Sequence, residues 1–440
     1  MSAAAAPEGG SSRADASATG DAAVGGPLPS ASRREASAAG GAAAGGPLPA
    51  EARREASTAA VPLADLTTLG VGAAPERMVD AATRDELVAA LGEVWDAGDD
   101  WFVLGGGSNL LVGDEPFDGT VVRILTSGYE RVGGAAEGFQ RVRVEAGQDW
   151  DAFVAWTVAE GLAGVEAMSG IPGTAGAAPI QNVGAYGQEI VQTLVSVDLL
   201  DEGSAEVVEV PASELGLGPR TSVLKRHYGS EPERSAVVMG LTLDLAVVGT
   251  EPRPVTDRRL RSALGLDGAR AGGEDGSGNA SLSWIRDTVR EIRASKGMVL
   301  DPDDADTRSA GSFFNNPIID EQLARGLPAE CPRWPMEPEI EQVQVIPLDT
   351  WDGSIAPPRA SSHLVKVSAA WLIEHAGLGK GFGLPGSRAT LSTKHTLALT
   401  NRGGATAEEI AELARFARTR VAAEYGIELN PEPVFVGVEL

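Results

Sequence analysis

Cysteine and histidine are scarce: among 440 residues there is one cysteine, Cys331, and four histidines, at 227, 363, 375 and 395. A single thiol excludes an internal disulfide, and histidines so far apart offer no zinc-ligand spacing. No metal is expected. No apolar run approaches the ~20 residues that a membrane-spanning helix needs, and Met1 leads into Ala and Glu rather than a basic segment and an apolar core. The expected compartment is the cytoplasm, with no membrane partner. Positive charge is also in short supply, since 36 Lys and Arg against 62 Asp and Glu leave a net charge of −26. That balance argues against a nucleic-acid duplex or an anionic lipid surface as partner. A small anionic metabolite remains possible wherever a few cations gather.

Glycine is abundant, and much of it sits in two loops, WFVLGGGSNLLVG at 101–113 and GVEAMSGIPGTAGAAPIQNVGAYG at 164–187. Glycine lets bare peptide groups approach something large, flat or negatively charged. After a short apolar strand, Trp101 to Leu104, the N–H groups of Gly105, Gly106 and Gly107 can form an anion nest, with Ser108 and Asn109 adding side-chain donors. The pattern is not the GxGxxG fingerprint, because Leu110, Leu111 and Val112 continue with no helix signal. The second loop carries Gly170, Gly173, Gly176, Gly184 and Gly187 and ends in Gln181, Asn182 and Tyr186. Together the loops suggest a dinucleotide held mainly by backbone.

Residues 1–60 are an Ala/Gly/Ser/Pro tract with a near-duplication, GGPLPSASRREASAA at 25–39 and GGPLPAEARREASTA at 45–59, and are expected to be disordered. A βαβ-like unit follows: a strand at Met78 to Ala81, a helix from Arg84 and a strand at Trp101 to Leu104. Thr83 and Glu86 form a capping-box pair, and Leu87, Leu91, Val94 and Trp95 supply the buried stripe. Further strands are expected at 121–124, 141–146 and 237–245, with a helix from Trp150 to Ala159. A polar stretch from Gly265 to Ser283 reads as an inserted loop before a helix carrying Ile285, Val289 and Ile292. Other helices are expected around 367–376 and at 408–425, the latter capped by Thr406 and Glu409 and burying Ile410, Leu413, Phe416, Ala417 and Val421. The last strand, VFVGVEL, is free to return to the first unit.

Several residues could carry chemistry. Ser312, on a tight turn in TRSAGSFFNNP, can protonate a bound carbanion or enol without acting as a nucleophile. No GxSxG elbow surrounds it, so acyl-serine hydrolysis is a weak reading. Arg220 and Lys225 in PRTSVLK, and Lys296 at the end of a helix, are cations suited to carboxylate and phosphate groups. Glu432 stands between two prolines that can aim its carboxylate. Each of these also reads as an ordinary turn or surface residue when taken alone.

As an ordered set, the strings LGGGSNLLV, SGIPGTAGAAPIQNVGAYG, PRTSVLK, KGMVLDPDDADTRSAGSFFNNP, AAWLIEHAGLGKG, LSTKHTLALTN and NPEPVFVG resemble the UDP-N-acetylenolpyruvoylglucosamine reductase family over about 62–437. The resemblance implies an α+β chain: a two-part FAD-binding fold of the vanillyl-alcohol-oxidase type at 61–125, with a C-terminal return at 428–440, and at 126–296, followed by a substrate domain at 297–427. It implies non-covalent FAD, NADPH as co-substrate and UDP-N-acetylglucosamine enolpyruvate as the group reduced, in a ping-pong cycle run by a monomer. Arg220, Ser312 and Glu432 match the reacting residues; Lys296, Asn316 and, more loosely, Lys225 match substrate contacts. Cofactor contacts fall on Gly105, Gly106, Gly107, Ser108, Asn109, Gly170, Ile171, Gly173, Gly176, Gln181, Asn182, Gly184, Ala185 and Tyr186. Three positions depart from the family: Pro219 stands where a tyrosine precedes the arginine, Asp257 replaces a tyrosine that covers the uridine, and Asn315 interrupts the usual SFF-K/T-NP pattern. Such changes leave room for a low-activity or non-catalytic UDP-sugar-binding relative, or for a flavin oxidase of the same fold acting on another sugar or alcohol.

Overall fold

The computed structural model describes residues 61–266, 278–336 and 363–440. The tail at 1–60 and most of the stretch from Gly265 to Ser283 lie outside the described residues. Strand Arg77–Ala81 enters helix Arg84–Ala97 through the expected capping box, and Gly98, at φ +70°, ends the helix. Strand Trp101–Leu104 follows, but it does not lie beside the first strand. Thr120–Ile124 sits between the two and runs parallel to both. Its Val121 and Val122 are both fully buried, which suits a central strand covered on both faces. Leu87, Leu91 and Val94 face the sheet, whereas Trp95 is only half-buried and meets Trp101 edge to face at 5.6 Å.

The second unit is an antiparallel sheet in the order Val207–Pro211, Leu194–Asp201, Ala236–Val247, Phe139–Glu145, Tyr129–Val132. Helices Trp150–Ala159 and Leu282–Ser295, capped by Asp149 and Ser281, bury Phe153, Val154, Ile285 and Val289 against it. Leu200, Val237 and Met239 of this sheet share a core with Ala81, Leu91 and Val122 of the first, so the two units are packed as one body. Arg84 reinforces that junction by donating to Glu145 at 2.9 Å and to Asp198 at 2.8 Å.

In the remaining part, strand Leu364–Val367 lies between Ile318–Asp320 and Arg333–Pro335, and helix Ala407–Tyr425 covers the hairpin Ala389–Leu391 and Leu399–Asn401. Ile410, Leu413, Ala417 and Val421 are buried as the periodicity requires, but Phe416 is 37% exposed and stacks on Phe382 instead. One helical turn thus carries the ring to the rim of the apolar stripe. Several contacts tie this part to the first, among them hydrogen bonds from the Asn401 amide to the Leu69 and Gly70 carbonyls. Strand Val434–Val436 pairs in parallel with Leu110–Val112, and the Asp114 carboxylate accepts the N–H groups of Ala407 and Glu408 at the start of the long helix. Among the described residues no helix is long and apolar enough to cross a membrane.

Candidate functional site

The two glycine-rich loops meet each other. A Cβ on Gly105 would stand 2.6 Å from Thr174 Oγ1, one on Gly176 2.7 Å from Ala146 Cβ, and one on Gly184 2.6 Å from the Gln188 carbonyl. Gly107 has φ +66°, and a Cβ there would lie 2.0 Å from the Leu66 carbonyl oxygen. At these four positions the missing side chain makes room for protein. Gly170 gives its N–H to Asp151 at 2.6 Å, the Gly173 carbonyl accepts from Trp150 at 2.8 Å, Ile171 is buried, and Ala185 pairs with Gln188 in a two-residue ladder.

The polar groups of the first loop are arranged differently. Ser108 Oγ and Asn109 Oδ1 are enclosed and have no hydrogen-bond partner among the described residues. Leaving such atoms unsatisfied costs about 1–3 kcal/mol each. Ser108 borders a cleft lined also by Thr68, Pro172, Met298, Ser309 and Gly311. Unsatisfied side-chain oxygens on a glycine-rich loop suit the polar groups of a flavin dinucleotide.

Next to this cleft is a buried polar network. Asn109 Nδ2 donates to Gln181 Oε1 and to the Glu432 carbonyl, both at 3.3 Å, and Gln181 Nε2 donates to Glu432 Oε1 at 3.3 Å. Lys225 Nζ donates to Gln181 Oε1 and to the Glu432 carbonyl, each at 3.1 Å. Burial lowers the Lys225 pKa to about 8, with Glu432 pulling it up and Arg220 pushing it down. Arg220 Nη1 lies 3.6 Å from Glu432 Oε1, and neither terminal guanidinium nitrogen has a hydrogen-bond partner among the described residues. A cation with two unsatisfied nitrogens beside a held carboxylate is arranged to receive an incoming carboxylate.

Ser312 is buried and reaches this network through the chain. The next residue, Phe313, accepts the Glu432 N–H at 2.9 Å, and Phe314 and Pro431 form an antiparallel bridge. Asn315 extends that pairing by donating its N–H to the Asn430 carbonyl at 2.9 Å, so this departure is borne by a residue held through its backbone. Asn316 Oδ1 accepts the Ala369 N–H at 3.0 Å. Lys296 lies over the Tyr186 ring, its ammonium 5.9 Å from the ring centre, which Arg259 also approaches at 5.9 Å. Asp257 is buried and caps the helix Arg258–Ala263 by accepting the Leu260 N–H at 2.8 Å, so the aspartate at this departure has a structural job of its own.

Sequence reading missed Lys366. It lies at the centre of the strand Leu364–Val367, buried among charged neighbours: burial lowers its pKa, Glu189 raises it and Arg220 lowers it. The only available signal was a lysine inside an otherwise apolar strand, LVKV. The role of Asn182 was also hidden, since its side chain serves protein groups, donating to Glu189 at 2.8 Å and to the Gly218 carbonyl at 3.2 Å and accepting from Val191 at 3.2 Å.

The model of an FAD binding domain matches residues 75–211, and that of the UDP-N-acetylenolpyruvoylglucosamine reductase C-terminal domain matches 301–436. The chain is 49% identical over 393 residues to the UDP-N-acetylenolpyruvoylglucosamine reductase of Leifsonia xyli, covering 86% of this chain and 98% of that one. It is 45% identical to the Thermobifida fusca protein of the same name, covering 86% and 98%. A crystal structure of the corresponding reductase from Thermus caldophilus, 24% identical, superposes with a TM-score of 0.51 over 86% of this chain and 97% of that one, and so shares its fold. With an FAD-binding segment, a reductase C-terminal segment and relatives matched along nearly their whole length, the chain belongs to the UDP-N-acetylenolpyruvoylglucosamine reductase family.

Proposed function

We propose that this chain reduces UDP-N-acetylglucosamine enolpyruvate to UDP-N-acetylmuramate, with non-covalent FAD as cofactor and NADPH as reductant, working as a monomer in the cytoplasm. Residues 61–125 with 428–440, and 126–296, form the FAD-binding part, and 297–427 the substrate part. The observation that carries this reading is the buried Arg220 guanidinium, 3.6 Å from Glu432 and with two unsatisfied nitrogens. When bound, the flavin supplies two-electron hydride chemistry, taking from NADPH and giving to the enolpyruvyl double bond.

Reduction at the terminal carbon of that double bond builds negative charge on the neighbouring carbon and its carboxylate. Arg220 holds the carboxylate, Glu432 fixes the guanidinium, and Lys225 adds a second positive charge behind both, so the charge develops against a field already in place. The Ser312 hydroxyl gives its proton to the carbanionic carbon and completes the saturated lactyl ether. Ser108 and Asn109, with the backbone of the 105–107 and 170–187 loops, hold the cofactor. Lys296 and Asn316 contact the substrate, and Lys366 adds positive charge near Arg220.

Purified protein should be yellow, should bleach with NADPH under anaerobic conditions, and should regain its colour when the enolpyruvyl substrate is added. Absence of bindable flavin would reject the reading. Rapid reoxidation by oxygen with steady peroxide release on a simple sugar would point to an oxidase, and tight binding of flavin and substrate without reoxidation would point to a non-catalytic relative.

A further inference from the structure

Arg220 is held in an unusual backbone conformation. Among the described residues only three non-glycine positions have positive φ, Asn182 at +45°, Tyr186 at +49° and Arg220 at +59°. For a side chain as large as arginine this conformation is disfavoured, and it persists only where the surroundings enforce it. The surroundings here are a closed turn. Gly218 and Thr221 exchange both backbone hydrogen bonds, at 3.1 and 3.2 Å, which leaves Pro219 and Arg220 as the two central residues.

Proline fixes its own φ near −65°, and a turn whose first central residue has negative φ and whose second has positive φ is the type II pattern. Pro219 therefore supplies half of the geometry that Arg220 requires. The other restraint comes from Asn182, whose amide donates to the Gly218 carbonyl at 3.2 Å while its second acceptor, Glu189, lies at 2.8 Å. Asn182 Oδ1 is engaged by the Val191 N–H at 3.2 Å, so the amide is oriented from both ends.

We infer that Pro219 and Asn182 are positioning residues for Arg220: together they hold a strained turn that aims the guanidinium at the carboxylate end of the substrate. This rests on the reductase reading of Arg220 given above. The proline departure from the family thereby becomes a gain in pre-organisation, and the Asn182 amide steadies the same turn.

Pro219 is exposed, so Pro219→Ala removes no core contact. Asn182→Gly keeps the left-handed backbone accessible while deleting the amide. In the flavin-loaded enzyme, Pro219→Ala should weaken equilibrium binding of the enolpyruvyl substrate to the oxidised protein, read from the flavin absorbance change, by about 2- to 5-fold. Asn182→Gly should weaken it by about 3- to 10-fold. Pro219→Ala should retain wild-type flavin content and the wild-type NADPH reduction rate. The double variant should lose less than the product of the two single effects, because both restrain one turn. Substrate affinity unchanged in Pro219→Ala or in Asn182→Gly would overturn the inference. If the wild-type holoenzyme neither binds nor is reoxidised by the enolpyruvyl substrate, the reductase reading itself has failed.

Discussion

Lys225 donates to the main-chain carbonyl of Glu432 at 3.1 Å, so the fully enclosed ammonium is tied to the backbone of the residue whose side chain faces Arg220. Its pKa near 8, against an ordinary 10.5, puts the loss of that charge within reach of a working enzyme. The KM for the enolpyruvyl substrate should therefore rise as pH passes about 8, and Lys225→Gln should have a raised KM without that inflection. Stability should move the other way. The unfolded chain binds the extra proton between about 8 and 10.5, so the contribution of this group to folding increases with pH across that window. An unchanged inflection in Lys225→Gln would remove Lys225 from the substrate site.

Ser312 separates the two half-reactions. Replacing it with alanine deletes the proton donor for the final carbon and leaves the loops around Ser108 and Asn109 intact. Stopped-flow measurements should find NADPH reduction of the flavin near the wild-type rate, while reoxidation by the enolpyruvyl substrate slows by roughly 10²–10⁴. Full-speed reoxidation in Ser312→Ala would assign the proton to another group.

Arg220→Lys tests whether the two unsatisfied guanidinium nitrogens act as a fork. A lysine retains the charge but cannot present two parallel donors to a carboxylate. Substrate-driven reoxidation should fall by at least about tenfold, the size expected when a charge-assisted hydrogen bond worth roughly 1.5–3 kcal/mol is lost. Near-normal reoxidation in Arg220→Lys would show that charge alone suffices.

Local signals in the sequence were strong where one segment determined the outcome. Thr83 with Glu86 and Thr406 with Glu409 both form the capping boxes read from their spacing, and the strand Trp101–Leu104 and the helix Trp150–Ala159 occur with the boundaries expected. What depended on distant partners was not legible. Nothing in VVRI indicates that Thr120–Ile124 inserts between two earlier strands, because strand order is decided by which faces are covered after the chain has folded. Glycine announces a close backbone approach, but only the fold shows that the Cβ side of Gly105 is taken by Thr174 of the other loop. Lys366 was hidden because its apolar strand neighbours resemble any core strand, and only the fold reveals Glu189 and Arg220 around it.

Gly240 tests the junction between the first two units. It lies in the central strand Ala236–Val247, where a Cβ would stand 2.4 Å from a terminal nitrogen of Arg84 and 2.9 Å from the Val144 carbonyl oxygen. Gly240→Ala should push Arg84 away from Glu145 and Asp198, the two carboxylates that it bridges. The guanidinium can swing outward but the Val144 carbonyl belongs to the neighbouring strand, so part of the strain must be taken up by the sheet. A loss of about 1–3 kcal/mol in unfolding free energy is expected. The same substitution should cost less in an Arg84→Ala background, because the side chain it displaces is already gone. Equal costs in both backgrounds, measured by denaturant unfolding of the flavin-bound protein, would place the whole effect in the strand and none in the Arg84 bridge.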